Sequence, residues 1–374
     1  MRIACIATSL VPSTTANSIQ VVKACHALKQ IGHDVNLFIP GSEEANWEDI
    51  EELYGLKERF RFIWIRSIDF LRRYDFAITS VLRSFIGRTD IVYTWMIQAA
   101  VMAQFLDLPV ILELHDSPTG RFAPSLFKIL LRMGGRKRVL VITRALLNRL
   151  QDQYDENQLS RYVQISPNGT ELDVYDGLPE ARKARERLGL PSTFTAVYTG
   201  HFYIGRGMNL LFNLAKELPE VNFMWVGGQP EKVKYWREEI QKAQLNNVIL
   251  TGCVSKKELP LYQAAGDILL MPYENIIEGS SGGNTVDICS PMKMFDYLAA
   301  GRPIISSDLP VIHEVLNYKN AVFCSPNDVG AWKSAITMLK NDTEKQKLLA
   351  NHALMDIKKF TWVNRAQNAV SDFL

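Results

Sequence analysis

The chain is expected to be an α/β protein, with two doubly wound domains of parallel sheet facing across a cleft. Three observations predict this. Short apolar runs alternate with segments of helical spacing, as in parallel sheets covered on both faces. The alternation starts twice, near residue 2 and again near residue 196. At 374 residues the chain is also too long for one ordinary core.

Residues 2–8 read as a buried strand, 18–31 as a helix stopped by Gly32-His33, and 34–39 as the next strand. Strands follow at 91–94, 110–114, 139–142 and 163–165, with helices at 99–106 and at 144–154, the latter capped by Thr143. Ser166-Pro167-Asn168-Gly169 is a turn signal. The second series has strands at 196–199, 222–226, 248–250, 268–271, 303–306 and 321–324. Between the series, 171–192 is polar and charged, closed by Gly189-Leu190-Pro191, and reads as a linker with a surface helix. The expected domains are 1–175 and 190–358.

Composition is that of a globular protein, 47% hydrophobic and 22% charged; the net charge of +2 argues neither for nor against nucleic acid, and no nucleic-acid partner is expected. Residues 59–149 carry fifteen Lys/Arg against six Asp/Glu, an excess suited to an anionic membrane surface or a phosphorylated acceptor. Five scattered cysteines without Cys-x-x-Cys spacing suit reduced thiols in the cytoplasm. The apolar start is too short for a signal peptide, and no run spans a bilayer, so any membrane role is expected to be peripheral, on the inner face.

The most informative segment is residues 290–301. Ser290 is a favoured N-cap, Pro291 suits the first helical position, and Gly301 supplies a left-handed stop. The first-turn N–H groups, with Met292 and the charge of Lys293, suit a phosphate. Asp296, about a turn and a half further on, is an acceptor for two ribose hydroxyls. Together they read as a nucleotide diphosphate site.

Ligands in such sheets sit at the carboxyl ends of strands, which gives further candidates. The first strand leads to Thr15, Ala16 and Asn17, a weak phosphate or sugar loop without glycine. The strand at 110–114 leads to His115 and Asp116, a donor beside a carboxylate. The strand at 196–199 leads to a loop bounded by glycines that holds His201 and Arg206, whose planar fork suits two phosphate oxygens. The strand at 248–250 leads to Gly252, which permits close approach, and Val254, whose backbone could read a base edge. Residues 272–289, which include Gly279-Ser280-Ser281-Gly282-Gly283, read as a mobile cover. No Asp-x-Asp, metal-ligand cluster, nucleophile elbow, dinucleotide fingerprint or Walker loop occurs. No metal and no cofactor are expected.

These residues resemble the GT-B-fold retaining glycosyltransferases of family 4 (glycosyl transferases group 1). The likeness rests on Glu113-Leu114-His115-Asp116, Pro167-Asn168-Gly169, Thr199-Gly200-His201 through Arg206-Gly207, and Val226-Gly227-Gly228. It continues through Ala265-Gly266-Asp267-Ile268, Met271-Pro272-Tyr273, Ser290-Pro291-Met292-Lys293, Gly301-Arg302-Pro303-Ile304 and Thr361-Trp362-Val363-Asn364-Arg365-Ala366. It spans nearly the whole chain and is most specific in the carboxyl half.

The resemblance implies Arg206 and His201 on the donor diphosphate, His115 near the donor sugar, and Asp296 on the ribose. The family's Glu-x7-Glu signature falls on Ile288 and Asp296, a departure resembling a Ser-Pro-x-Lys subgroup. Asp287 or Thr285 is then a candidate for the donor hexose, and Ala16-Asn17 replaces a Gly-Gly pair. The final helix, 361–374, is expected to cross back to the first domain. The activity implied is metal-independent, retaining transfer of a hexose from a UDP- or GDP-sugar to a glycan or lipid-linked acceptor. A sugar-nucleotide 2-epimerase and a noncatalytic sugar-nucleotide-binding partner are the alternatives.

Overall fold

A computed structural model describes residues 1–42, 45–277 and 284–373, the side chain of Asp69 excepted. The tract Gly279-Ser280-Ser281-Gly282-Gly283, and with it the middle of the expected cover, lies outside the described residues. The chain divides into unit 1, Met1–Asn168 with Trp362–Leu374, and unit 2, Gly169–Thr361.

Unit 1 holds a seven-stranded parallel sheet. Its strands are β1 (Arg2–Ile6), β2 (Asp34–Pro40), β3 (Arg61–Ile65), β4 (Ile91–Thr94), β5 (Val110–Leu114), β6 (Lys137–Val141) and β7 (Val163–Ile165). They lie in the order β3-β2-β1-β4-β5-β6-β7, with Ile3 opposite both Val35 and Ile91. Strand β1 is buried from Ile3 to Ile6, as a strand covered on both faces requires. Unit 2 holds six parallel strands: β8 (Thr195–Thr199), β9 (Asn222–Val226), β10 (Val248–Gly252), β11 (Ile268–Met271), β12 (Ile304–Ser307) and β13 (Ala321–Cys324). Their order is β10-β9-β8-β11-β12-β13. Its core packs Trp225, Trp332, Tyr198 and Phe223 between the sheet and its helices. Both units are thus doubly wound, and the expected α/β class holds.

Several boundaries differ from the sequence reading. Strand β1 stops at Ile6, and the next helix runs Ala16–Gln30 because the Thr15 hydroxyl accepts from the Ser18 N–H at 3.4 Å. Strand β3 was not foreseen. It is an edge strand, half-buried from Phe62 to Trp64, and its continuous apolar run Phe62-Ile63-Trp64-Ile65 is a signal that the sequence reading passed over. The 171–192 segment is not a free linker but part of unit 2. Its helix Ala181–Arg187 is pinned there by buried Arg185, which donates to the Ala265 carbonyl and to Asp267, both at 2.8 Å.

The final helix, Trp362–Val370, packs on Ala16–Gln30 within unit 1. Arg138 reaches its carboxyl end and donates to the carbonyls of Asn368 and Ala369, each at 2.8 Å. A guanidinium there satisfies end carbonyls and complements the helix dipole.

Candidate functional site

In unit 2 the strand order reverses between β8 and β11, and open α/β sheets bind ligands at such a switch point. The chain leaving β8 turns through Gly200. The helix Met292–Ala300 is fastened beside it by Tyr297, which accepts from the Thr199 N–H at 2.8 Å and donates to the Leu270 carbonyl at 3.3 Å. One phenol therefore ties the helix to the ends of both β8 and β11.

The helix starts one residue later than its sequence suggests. Pro291 holds the N-cap position with extended backbone (φ −65°, ψ 124°), and no side chain caps the end. Ser290 is therefore not the N-cap; it lies buried just before it. Among the described residues the N–H groups of Met292 and Lys293 meet no acceptor, while that of Met294 bonds back to the Pro291 carbonyl at 3.1 Å. Gly301 closes the helix in the left-handed conformation, φ 60°.

Lys293 projects back across Gly200. A Cβ at Gly200, whose φ is +138°, would stand 2.8 Å from the lysine Nζ, so a larger residue there would displace the ammonium. The Nζ lies 3.9 Å from the centre of the Tyr198 ring and 5.6 Å from that of Tyr273. Arg206 lies over the Tyr273 ring too, 4.9 Å from its centre. Burial, then the neighbouring Arg206 charge, pushes the Lys293 ammonium well below its ordinary value. Burial opposes the Arg206 charge too, but Tyr273 and Tyr198 outweigh it and shift its pKa upward.

These neighbours supply no negative charge. Burial pushes the Tyr273 hydroxyl up to about 12 and the Cys289 thiol to about 11, despite Arg206 beside each. Among the described residues no carboxylate forms an ion pair with Arg206 or Lys293. Two cations thus share aromatic walls. Ring faces return about 0.5–2 kcal/mol per cation, less than the several kcal/mol that desolvating each costs. The arrangement is that of a seat for an anion with more than one charge.

The other expected residues of unit 2 are placed as follows. His201 stacks on Tyr203, ring centres 4.8 Å apart, and its carbonyl accepts from the Tyr198 hydroxyl at 2.8 Å. Asp296 accepts from the Thr170 hydroxyl at 2.7 Å, so a ribose there would share the carboxylate. Gly252 has φ +73°, with open space where a Cβ would point. It ends β10 at a register irregularity, with Val254 half-buried beyond it. Thr285 is committed to a turn, its hydroxyl and N–H both donating to the Ile277 carbonyl. Asp287 is exposed, and Ile288 is fully buried.

Unit 1 holds the remaining candidates. His115 follows β5 and its Nε2 lies 2.7 Å from Glu113 Oε1. Glu113 is buried and also accepts from Arg365 and Gln20, each at 2.6 Å, and from the Tyr93 hydroxyl. Burial alone would raise this carboxyl, but the Arg365 guanidinium, with His115 and Tyr93, holds it at about 2. Asp116 caps the Ser117 N–H at 2.7 Å and lies 3.8 Å from Arg149. Thr15 is spent on its helix cap, Ala16 begins that helix, and Asn17 accepts from Ser9 at 3.1 Å. Sequence reasoning missed the role of Glu113. Its signal was a carboxylate inside a wholly buried strand, which demands a partner. The partner, Arg365, lies 252 residues away and had no local signal. Among the described residues no group of three or more His, Cys, Asp or Glu is placed to hold a metal.

Two tandem, doubly wound parallel-sheet units with a cation-lined switch point in the second define the GT-B class of fold. Within it, residues 193–342 match the family model described as glycosyl transferases group 1. Among solved structures, a glycosyltransferase from Rickettsia africae superposes with TM-score 0.78 at 15% identity, covering 100% of this chain and 97% of that one. Anabaena HepE in complex with UDP and glucose gives 0.73 at 16%, covering 98% and 97%. Among curated proteins, a putative teichuronic acid biosynthesis glycosyltransferase of Bacillus subtilis is 35% identical over 26% of this chain and 22% of its own length. An alpha-galactosylglucosyldiacylglycerol synthase of Streptococcus pneumoniae is 26% identical over 42% and 41%. The chain thus spans between about a fifth and two fifths of the curated relatives it matches.

Proposed function

We propose that the protein is a glycosyltransferase that moves a hexose from a nucleotide diphosphate sugar to a hydroxyl of a glycan or lipid-linked acceptor. The observation that carries this reading is the pair Arg206 and Lys293, held together at the switch point of unit 2 without a carboxylate. A diphosphate supplies the missing charge. The match over residues 193–342 and the UDP complexes of a structural neighbour support the same reading.

Transfer then follows from where charge grows. As the bond between the sugar and the diphosphate breaks, negative charge accumulates on the departing phosphate. Arg206, Lys293 and the N–H groups of Met292 and Lys293 are fixed donors aimed at it, so they stabilise the transition state more than the bound donor. Asp296 is the proposed ribose acceptor, and His201 and the backbone near Gly252 and Val254 the remaining donor contacts. In unit 1, His115 is the proposed substrate-directed donor, its ring oriented by Glu113.

Retention of anomeric configuration, metal independence, and membership of family 4 with its Ser-Pro-x-Lys subgroup are parts of this proposal. So are a role in cell-surface polysaccharide or glycolipid synthesis and a place on the inner membrane face. The curated relatives of polysaccharide and glycolipid synthesis favour that role. Ile288, buried where the family's first acid would stand, leaves Asp287 as the exposed carboxylate nearest in sequence for the donor hexose.

A panel of UDP- and GDP-sugars, incubated with and without glycan acceptors in EDTA, tests the reading. Nucleoside diphosphate released only when acceptor is present supports transfer. Conversion of the donor to its 2-epimer without acceptor, or nucleotide binding with no turnover of any donor, overturns it.

A further inference from the structure

Unit 2 begins at Gly169 and ends at Thr361, so the chain enters and leaves it close to Thr170 and Thr361. These two threonines form a parallel bridge, and the Thr170 N–H donates to the Phe360 carbonyl at 3.0 Å. Phe360 in turn packs edge-on to Phe295, ring centres 5.5 Å apart, in the helix Met292–Ala300. The backbone of Thr170 is thereby tied to the segment that packs on the helix carrying Asp296. Its side chain is buried, and β-branching makes it stiff about its first torsion.

Asp296 is half-buried in the second turn of that helix. The terminal torsion of an aspartate is broad and roughly two-fold, so a rigid donor on one oxygen sets the plane in which the carboxylate accepts. Thr170 is such a donor, its hydroxyl 2.7 Å from Asp296 Oδ1. A bond to an ionised acceptor is of the stronger kind. The Tyr175 phenol lies near the same carboxylate. Burial first, then the Asp296 charge, pushes its pKa well above the ordinary value, so it stays neutral and brings no second negative charge. Its hydroxyl donates to Gln263 Oε1 at 2.9 Å.

We propose that Thr170 is a positioning residue for donor recognition, its hydroxyl orienting the Asp296 carboxylate so that it distinguishes a ribose from a sugar ring without hydroxyls. The inference rests on the transferase reading, in which Asp296 meets the ribose, and adds a residue that acts through it. Without the Thr170 hydroxyl the carboxylate can turn about its terminal torsion, and its hold on the ribose weakens. The diphosphate is held elsewhere, by Arg206 and Lys293. Thr170 therefore sets selectivity for the ribose and leaves the grip on the phosphates alone.

The test is calorimetric titration of the full chain in EDTA with UDP, GDP and the 2′,3′-dideoxy form of each. The wild type should bind one ribonucleotide about tenfold or more tightly than its dideoxy form, as a hydrogen bond to a charged group implies. Thr170→Val, which keeps the shape and removes the hydroxyl, should reduce that ratio to about threefold or less. Thr170→Ser should return it to within about twofold of wild type. Asp296→Asn should lower the ratio as well, whereas Arg206→Ala should weaken both forms alike and leave the ratio unchanged. A purely structural Thr170 would behave as Arg206→Ala does, with affinity lost and the ratio kept. The inference falls if Thr170→Val or Asp296→Asn keeps the wild-type ratio, or if Thr170→Ser fails to restore it. Those outcomes leave the transferase reading standing. Binding of neither ribonucleotide by the wild type overturns that reading and this inference together.

Discussion

Lys293 carries the cost of the proposed anion seat before an anion arrives. Its ammonium is buried beside Arg206 with only aromatic faces around it, so the ligand-free protein holds an unfavourable charge. Lys293→Met should therefore raise the unfolding free energy of the ligand-free protein by on the order of 1–2 kcal/mol while removing nucleotide affinity. Calorimetric unfolding and a nucleotide titration on the same sample check both halves. The pH dependence has a definite sign. With its native pKa lowered from 10.5, Lys293 binds fewer protons folded than unfolded between the two values, and stability from this group rises with pH through that window. At pH above the lowered pKa, a bound diphosphate restores the proton. Binding should take up protons and weaken as pH rises above the lowered pKa, which titrations in buffers of different ionisation enthalpy would register.

Glu113 has the opposite sign. Its carboxyl is held at about 2 against an ordinary 4.5, so its stabilisation is complete above 4.5 and is lost as pH falls towards 2. That difference corresponds to on the order of 3 kcal/mol. Glu113→Gln leaves Arg365 buried without its carboxylate and should cost about 3–5 kcal/mol, with a flattened acid limb in the stability profile. An unchanged acid limb would show that Arg365 does not depend on Glu113.

Among the elements, the helix Met292–Ala300 carries the site, and most of it was legible beforehand. Its good helix formers and Gly301 mark the body and the stop. Its start was misplaced by one residue because Pro291 suits both the N-cap and the first position, and only the backbone angles separate them. What fixes the helix against the sheet was not legible. Tyr297 reads as one more apolar position, yet its hydroxyl serves the Thr199 N–H and the Leu270 carbonyl. Tyr297→Phe leaves that N–H buried without its acceptor. It should cost about 1–3 kcal/mol and weaken nucleotide binding by loosening the start of the Gly200 turn. Equal affinity in wild type and variant would separate the phenol from the site. The edge strand β3 is a different case: its apolar run Phe62-Ile63-Trp64-Ile65 was legible and was passed over.

At the scale of the whole molecule, two alternating series announced two doubly wound units, because parallel strands covered on both faces must be continuously apolar. Strand ends named Arg206 and His115 as candidates, since ligands gather where such strands stop, and the helix start at 290–293 added Lys293. Partnerships across long sequence separations stayed hidden. Neither the Glu113–Arg365 pair nor the aromatic walls Tyr198 and Tyr273 leave a local pattern, and the segment at 171–192 looked like a linker until Arg185 was seen to be buried.

The central claim is that the switch point of unit 2 seats a nucleoside diphosphate on Arg206 and Lys293. Isothermal titration with UDP and GDP, in EDTA, tests it most directly. The wild type should bind one of them at a single site, and Arg206→Ala should weaken that binding by at least tenfold, the loss of one charge-assisted contact. Undiminished affinity in Arg206→Ala and Lys293→Met, or no binding of either nucleotide by the wild type, would contradict the account.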